Sequence, residues 1–525
     1  MTAAQRRTTP KLPAKLEHIY IIGICGTAMG SLAGMLSERG YRVSGSDQAT
    51  YPPMSDFLAS LGIDILQGYR AENINKLIDL PDLVVVGNVC RRDNPEVLAA
   101  SERGLPLVSL PELLRLLFLL QAEHRVVVSG THGKTTTSSL LAHLLEQNGR
   151  DPSFMIGGIA SDFGSNFKLG RAPLFVIEGD EYDTAFFDKV PKFWHYEPNL
   201  LIINNIEFDH ADIYGSLEEI IEVFEKLVRA MPSDGVIWAN ADDPRVQQVV
   251  KDAPCRVRSF GLSEAAELRA SALTPLKASD NLREQAKRPI DKKSASVTGA
   301  SDAGMRFELQ LANSLAEIGG AGQHLEMHSP LSGAHNVLNT LAATGACLSL
   351  GLELSAIHAA LRSFRGVRRR QELLGTARGV TVYDDFAHHP SAVRETVRAI
   401  RGRHPEAKLW AIFEAKSNTS RKAIFQDAYP EALAEADEVI LSAPWRKTAT
   451  ASPDPDAIDI PKLVAALEAR GCSARMLPEV EQIVEHLVEH LQAGDVVLGM
   501  SGSSFGNLHR KLLSRLSVPA TEPSP

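Results

Sequence analysis

Short runs of β-branched residues and leucine recur along the chain, and each ends abruptly in glycine or polar residues. "HIYIIGICGTAMGSLAGMLSERGYRVSGSD" opens the series. Its apolar run Ile19 to Ile22 predicts a buried parallel strand, then a glycine turn, a helix and a second strand. "DLVVVGN" at 82–88 is another such strand. A second series holds "HRVVVSGTHGKTTTSS", "PLFVIEGDE", "NLLIINNIEFDH" and "DGVIWANADD", and a third holds "GVTVYDDFAHHPSAVRETVRAI", "KLWAIFEAKSNTSR", "ADEVILSAPW" and "AGDVVLGMSGSSFGNL". Strands alternating with helices predict α/β domains with doubly wound, mostly parallel sheets. The expected domains are 17–120, 121–366 and 367–515, with disordered tails at 1–16 and 516–525. The stretch 265–305 is polar, poor in aromatics and rich in Lys, Ser and Ala, and reads mostly as a flexible insertion or exposed loop. "GAHNVLNTLAATGACLSLGL" then predicts a helix with small apolar residues on one face.

Composition narrows the class. The 525 residues suffice for two to four domains, and 44% hydrophobic with 23% charged residues is ordinary for a globular protein. A net charge of -9 argues against a broad nucleic-acid surface. The five cysteines are scattered and form no C-x-x-C, which fits a reducing compartment without disulfides or structural zinc. The basic N-terminal stretch has no apolar segment of signal-peptide type. "LPELLRLLFLLQ" is too short to cross a membrane and carries Arg115, so a buried helix suits it better. A cytoplasmic location is expected.

Chemistry concentrates where the strands end. A phosphate loop of the pattern G-x-x-x-x-G-K-[ST] has a glycine six residues before its lysine. Here that place is Val128, and the first glycine, Gly130, stands four residues before Lys134. The loop nevertheless has Gly130, Thr131, His132, Gly133, Lys134, Thr135 and Thr136 between a β-branched strand and a leucine-rich helix. Backbone amides, a lysine and a hydroxyl for magnesium are what phosphate binding needs. Two acidic loops follow buried strands: Glu178, Asp180, Glu181 and Asp183 in one, Glu207, Asp209, His210 and Asp212 in the other. Such oxygens are ligands for magnesium. The turn Gly23, Gly26, Gly30 departs from G-x-G-x-x-G because Cys25 takes the place of the middle glycine. With Asp47 downstream it could serve a redox dinucleotide, or be a tight helix-packing turn.

"GTHGKTT", "EGDEYD", "NNIEFDH", "GAHNVLN" and "YDDFAHHP", in that order, resemble the Mur ligase family. The narrow loop spacing is that family's own variant. The resemblance implies a Rossmann-like domain holding a UDP-sugar, a central ATPase and a Rossmann-like C-terminal ligase domain. By motif it implies that Lys134 holds the β- and γ-phosphates and Thr135 touches a magnesium ion. Glu178 and His210 would also bind metal, Asn336 and Asn339 would face adenine, and Asp385 would hold the ribose beside His388. Arg369 or Arg370 would reach the γ-phosphate. The glycine turn with Gly26 and Asp47 would receive the UDP diphosphate, helped by Arg91 and Arg92, and Arg421 would meet an anionic group of the peptide. His210 and His388 are the candidates for a general base.

Within the family, members adding L-alanine typically carry "GIGGAGM" and "GTGRRF", where this chain has "GICGTAMG" and "GVRRRQEL". "YPPMSDFLASLGIDILQGY", "EYDTAFFDKVPKFWHY" and "NIEFDHADIY" instead resemble members that join UDP-N-acetylmuramate to the intact tripeptide L-alanyl-γ-D-glutamyl-meso-diaminopimelate, in peptidoglycan recycling. The expected partners are these two small molecules with ATP and Mg2+, with no nucleic acid and no membrane. A monomer or weak homo-oligomer is expected.

Overall fold

The computed structural model describes residues 12–50, 54–77, 79–276, 304–319, 322–443 and 456–518. Three sheets follow one another along the chain. The first contains β1 (His18–Ile22), β2 (Arg42–Asp47), β3 (Ile65–Gln67), β4 (Leu83–Val86) and β5 (Leu107–Ser109). Its order is β3-β2-β1-β4-β5, parallel throughout. All of β1 is buried, as expected of a parallel strand covered on both faces. The strand order reverses beside β1, which opens a crevice at the carboxyl ends of β1 and β4.

The second sheet contains β6 (His124–Ser129), β7 (Ser153–Ala160), β8 (Ser165–Lys168), β9 (Leu174–Gly179), β10 (Leu200–Ile203), β11 (Val236–Asn240), β12 (Arg256–Gly261), β13 (Leu268–Leu276), β14 (Gly304–Leu311) and β15 (His324–Ser329). They run in the order β15-β14-β13-β12-β11-β10-β6-β9-β7-β8. From β13 to β7 the pairing is parallel, and β14, β15 and β8 add antiparallel edges. The expected loop at 265–305 is therefore corrected at both ends. Leu268, Ala270, Met305, Phe307, Leu309 and Leu311 alternate inward on β13 and β14, a period-two pattern that Ala and Ser obscure in β13 alone. The remainder, 277–303, lies outside the described residues. So do 1–11 and 519–525 of the expected tails, whereas Leu516 and Ser517 end the helix Leu508–Ser517.

The third sheet holds β16 (Glu372–Ala377), β17 (Val380–Asp385), β18 (Leu409–Glu414), β19 (Glu438–Leu441), β20 (Ser473–Met476) and β21 (Val496–Ser501). Its order is β16-β17-β21-β18-β19-β20, parallel except for β16. Val367 still pairs with Ala160 of β7, and Arg368 N donates to Ile159 O, so the chain leaves the second sheet only after Arg368.

Two helices carry the site. Lys134–Gln147, "KTTTSSLLAHLLEQ", is buried from Thr135 to Leu145. Its threonines, serines and alanine permit close packing on Ala334–Ser349, another helix of small residues. At Gly345 of that helix a Cβ would lie 2.6 Å from the Trp238 ring, so nothing larger fits. The leucine-rich segment forms the helix Leu110–Leu117, and among the described residues no helix is long and apolar enough to cross a membrane.

Candidate active site

β10, β6 and β9 are neighbours, so the loops after them emerge side by side at the carboxyl edge of the second sheet. The loop after β6 turns through Gly130 (φ 125°) and Gly133 (φ 83°), both in the left-handed region where glycine is favoured. At Gly133 a Cβ would stand 2.4 Å from Asn339 Oδ1. The motif predicts loop amides facing an anion, but two of them are taken up inside the protein. Thr131 N donates to Asn205 O (3.0 Å) and His132 N to Asn205 Oδ1 (2.7 Å). The amides left without an intrahelical acceptor are those of Lys134, Thr135 and Thr136, in the first turn of the helix. The first half of the loop is thus held by Asn205. Asn204 and Asn205, which motif reading passed over, can be signalled only by their place directly after a buried strand.

Lys134 Nζ donates to Gly130 O (2.7 Å) and meets Glu181 Oε2 at 2.9 Å. Burial opposes its charge, but Glu181 and Asp180 more than offset this and raise its pKa. The other Glu181 oxygen lies 3.2 Å from His210 Nε2. Burial also opposes charge on His210, and Glu181 outweighs it and raises the histidine's pKa. His210 sits at φ 53°, a backbone strain that recurs at Arg369 (φ 60°) and Gln371 (φ 49°). Such residues cluster at functional sites.

Thr135 Oγ1 donates to Glu178 Oε2 (3.1 Å), and Gly157 N donates to Glu178 Oε1 (2.6 Å). Burial raises the Glu178 pKa, with Asp180 adding to it. A half-buried carboxylate beside a hydroxyl is a hard-oxygen pair that fits Mg2+. Of the expected trio Thr135, Glu178 and His210, Thr135 and Glu178 pair, and the His210 ring meets Glu181.

The two candidate arginines separate. Arg370 Nη2 approaches Thr135 Oγ1 at 3.4 Å. Arg369 turns the other way, donating to Ser501 O and Ser503 O and pairing with Asp384 at 3.3 Å, so it does not reach the phosphate loop. Asp385 is buried and accepts from Gln371 N and Ala387 N, both at 2.6 Å, so it braces the crossover into the third sheet. His388 Nδ1 lies 3.0 Å from Phe386 O, and burial lowers its pKa.

The side chains of Asn336 and Asn339 bond one another (3.0 Å), and Asn339 Oδ1 accepts from Thr137 Oγ1 (3.1 Å). They brace the phosphate loop from behind. His335 was missed by sequence reasoning: its ring is 3.2 Å from Gln371 Nε2, and burial lowers its pKa to about 4.

At the first sheet, Gly26 caps the helix Thr27–Glu38. Asp47 accepts from Cys25 N (2.8 Å), closing the glycine turn. Arg91 is exposed on the turn before the helix Pro95–Glu102. Glu96, fully buried and bonded to Ser46 and Asn73, shapes that crevice and carries no sequence signal. In the third sheet, the loop after β18 reaches the acidic loop after β10: Thr419 donates to Asp209, and Asn418 to Asp212 (2.9 Å). Arg421 lies in the same loop, half-buried, its carbonyl accepting from Ile458 N (2.8 Å).

Three family models match in succession: the Mur ligase family catalytic domain at 18–121, the Mur ligase middle domain at 128–347 and the Mur ligase glutamate ligase domain at 369–503. A UDP-N-acetylmuramate–L-alanyl-γ-D-glutamyl-meso-2,6-diaminoheptandioate ligase of Escherichia coli (strain K12) is 39% identical over 96% of this chain and 99% of its own. The chain belongs to the Mur ligase family. A UDP-N-acetylmuramate–L-alanine ligase of Alkaliphilus metalliredigens is also similar, at 31% identity over 95% of this chain and 98% of its own. Among solved Mur ligase structures, a murein peptide ligase of Psychrobacter arcticus 273-4 matches with a TM-score of 0.67 and 31% identity, over 96% of this chain and all of the other.

Proposed function

We propose that this Mur ligase uses ATP and Mg2+ to join UDP-N-acetylmuramate to L-alanyl-γ-D-glutamyl-meso-diaminopimelate, returning cell-wall peptide to peptidoglycan precursor in the cytoplasm. The observation that carries the ligase reading is the approach of Arg370, at the entry to the third sheet, to Thr135 of the phosphate loop. It brings a second cation to the site where Lys134 waits. The tripeptide reading rests on the higher identity to the E. coli enzyme than to the L-alanine ligase, over comparable lengths.

Amide formation from a free carboxylate is uphill because the leaving group is poor. The lactyl carboxylate of the sugar substrate attacks the γ-phosphorus of ATP, giving an acyl phosphate and ADP. The tripeptide amine then attacks the acyl carbon, and the tetrahedral intermediate collapses to amide and phosphate. Two anions meet in the first step, so Lys134, Arg370 and the amides of Lys134–Thr136 act by electrostatic stabilisation. Thr135 and Glu178 are the residues to hold magnesium, which would draw charge from the phosphate oxygens when bound. Burial lowers the pKa of His388, which favours the neutral form that a base for the amine requires, whereas Glu181 raises that of His210 and so favours its cation. The contacts of Thr419 and Asn418 with the acidic loop tie the loop after β18 to the central domain, and peptide binding there would help shield the acyl phosphate from water.

Phosphate release is measured with ATP, magnesium and UDP-N-acetylmuramate, in parallel with L-alanine and with the tripeptide, and products are identified by mass. Amide product with tripeptide alone supports the proposal. Product with L-alanine alone replaces it with the biosynthetic L-alanine ligase.

A further inference from the structure

Three side chains that the ligation steps leave without a task meet where the phosphate loop, the loop after β10 and the loop after β17 come together. His132 Nε2 lies 3.3 Å from Glu207 Oε2 and 3.2 Å from His389 Nδ1, and His389 Nδ1 lies 3.5 Å from Glu207 Oε2. We propose that His132, Glu207 and His389 bind one divalent transition-metal ion of the zinc type, clipping the C-terminal domain to the phosphate loop. The site goes beyond the ligase reading and does not depend on which amine the enzyme takes.

The protonation pattern favours a cation at the centre. His389 Nε2 lies 3.1 Å from Phe208 O, a contact that a ring nitrogen makes as donor. The Nδ1 of His389 is then a lone pair, as is Glu207 Oε2. The long contact from Ser391 N to His389 Nδ1 (3.3 Å) caps the helix Pro390–Arg403 and supplies one weak donor. The Ser391 hydroxyl also bonds the Glu207 carboxylate. Between His132, Glu207 and His389 themselves the one ring hydrogen is that of His132 Nε2, and it cannot point well at both Glu207 Oε2 and His389 Nδ1. A metal ion at the centre serves all three at once.

The spacing suits such an ion. Ligands at about 2.0–2.1 Å from a tetrahedral zinc stand about 3.3–3.5 Å from one another. The three observed separations, 3.2, 3.3 and 3.5 Å, lie within about 0.1 Å of that edge length. Supporting contacts hold the ligands: Phe208 O fixes the His389 ring, and Glu207 N donates to Thr131 Oγ1 (2.8 Å). The His132 and Glu207 side chains keep about a quarter of their surface, 23% and 25%, which leaves an entry path and room for a water as fourth ligand.

Ligand chemistry separates this site from the magnesium of the nucleotide. Two imidazoles suit zinc, copper or nickel, whereas magnesium prefers oxygen ligands throughout. Because the ligands come from both domains, a bound ion would hold them together.

The test titrates Co2+, as a spectroscopic stand-in for Zn2+, into chelator-treated full-length protein in excess Mg2+. Visible absorption, stoichiometry and melting temperature are recorded. The expected result is one Co2+ per chain with the intense spectrum of a four-coordinate ion, displaced by Zn2+, and a raised Tm. His389→Gln and Glu207→Gln should each weaken binding roughly tenfold or more. The proposal is overturned by no uptake in wild type, by the weak spectrum of a six-coordinate ion, or by wild-type affinity in either variant. Should one variant fail to fold, the other and the wild-type spectrum decide.

Discussion

Lys134 Nζ stands 2.9 Å from Glu181 Oε2, and the Glu181 side chain is 2% exposed. The cation of the phosphate loop therefore has a buried partner, whose second oxygen faces His210 at 3.2 Å. Lys134→Ala is expected to lower kcat/KM for ligation about a hundredfold to a thousandfold. It should also lower Tm, since removing one member of a buried pair costs about 3–5 kcal/mol. Adding Glu181→Gln should restore Tm and leave ligation lost. Substantial ligation by Lys134→Ala would remove this lysine from the mechanism.

Gly133→Ala should weaken nucleotide binding about tenfold or more while the fold persists. Its φ of 83° and the 2.4 Å approach to Asn339 Oδ1 leave no room for a methyl group. Calorimetric titration with a non-hydrolysable ATP analogue checks this, and unchanged affinity would contradict it.

Arg370 and Arg369 adjoin in sequence but should give different defects. Arg370→Ala should lower kcat about a hundredfold, because Arg370 approaches Thr135. Arg369→Ala should lower Tm and leave kcat within about tenfold, because Arg369 ties to Ser501, Ser503 and Asp384. Steady-state kinetics and thermal unfolding on both variants decide, and a reversed pattern would refute the assignment.

Acid should destabilise the C-terminal domain. Burial lowers the pKa of His404 and of His509 to about 4 from an ordinary 6.5. The folded values lie below the unfolded one, so the unfolded chain binds protons first. The stabilisation is complete above 6.5 and is lost as pH falls toward about 4. Tm should drop between pH about 7 and about 5. His404→Gln, which retains a partner for Tyr383 Oη, should flatten the drop. An equal drop in that variant would exclude His404 as a source.

Much of the site could be read from short segments. β1, β6, β9 and β10 follow from apolar runs, and Gly130, Gly133, Lys134 and Thr135 follow from a loop that only certain residues can make. β13 was not legible, because the alanines, serine and proline of "LRASALTPL" hide its alternation, and the alternating "GMRFELQL" of β14 begins only at the end of the polar stretch. Neither was the division of labour between Arg369 and Arg370, whose identical chemistry says nothing of direction.

By itself, then, the sequence determined the α/β class, the family motifs and the phosphate loop, since each depends on residues close enough along the chain to set local backbone geometry. Only the tertiary structure decided that Asn205 ties the loop, that Glu181 sits between Lys134 and His210, and that His132, Glu207 and His389 converge. These residues come from strands and domains far apart in the chain. Their meeting is set by sheet order and domain packing, which no local pattern encodes.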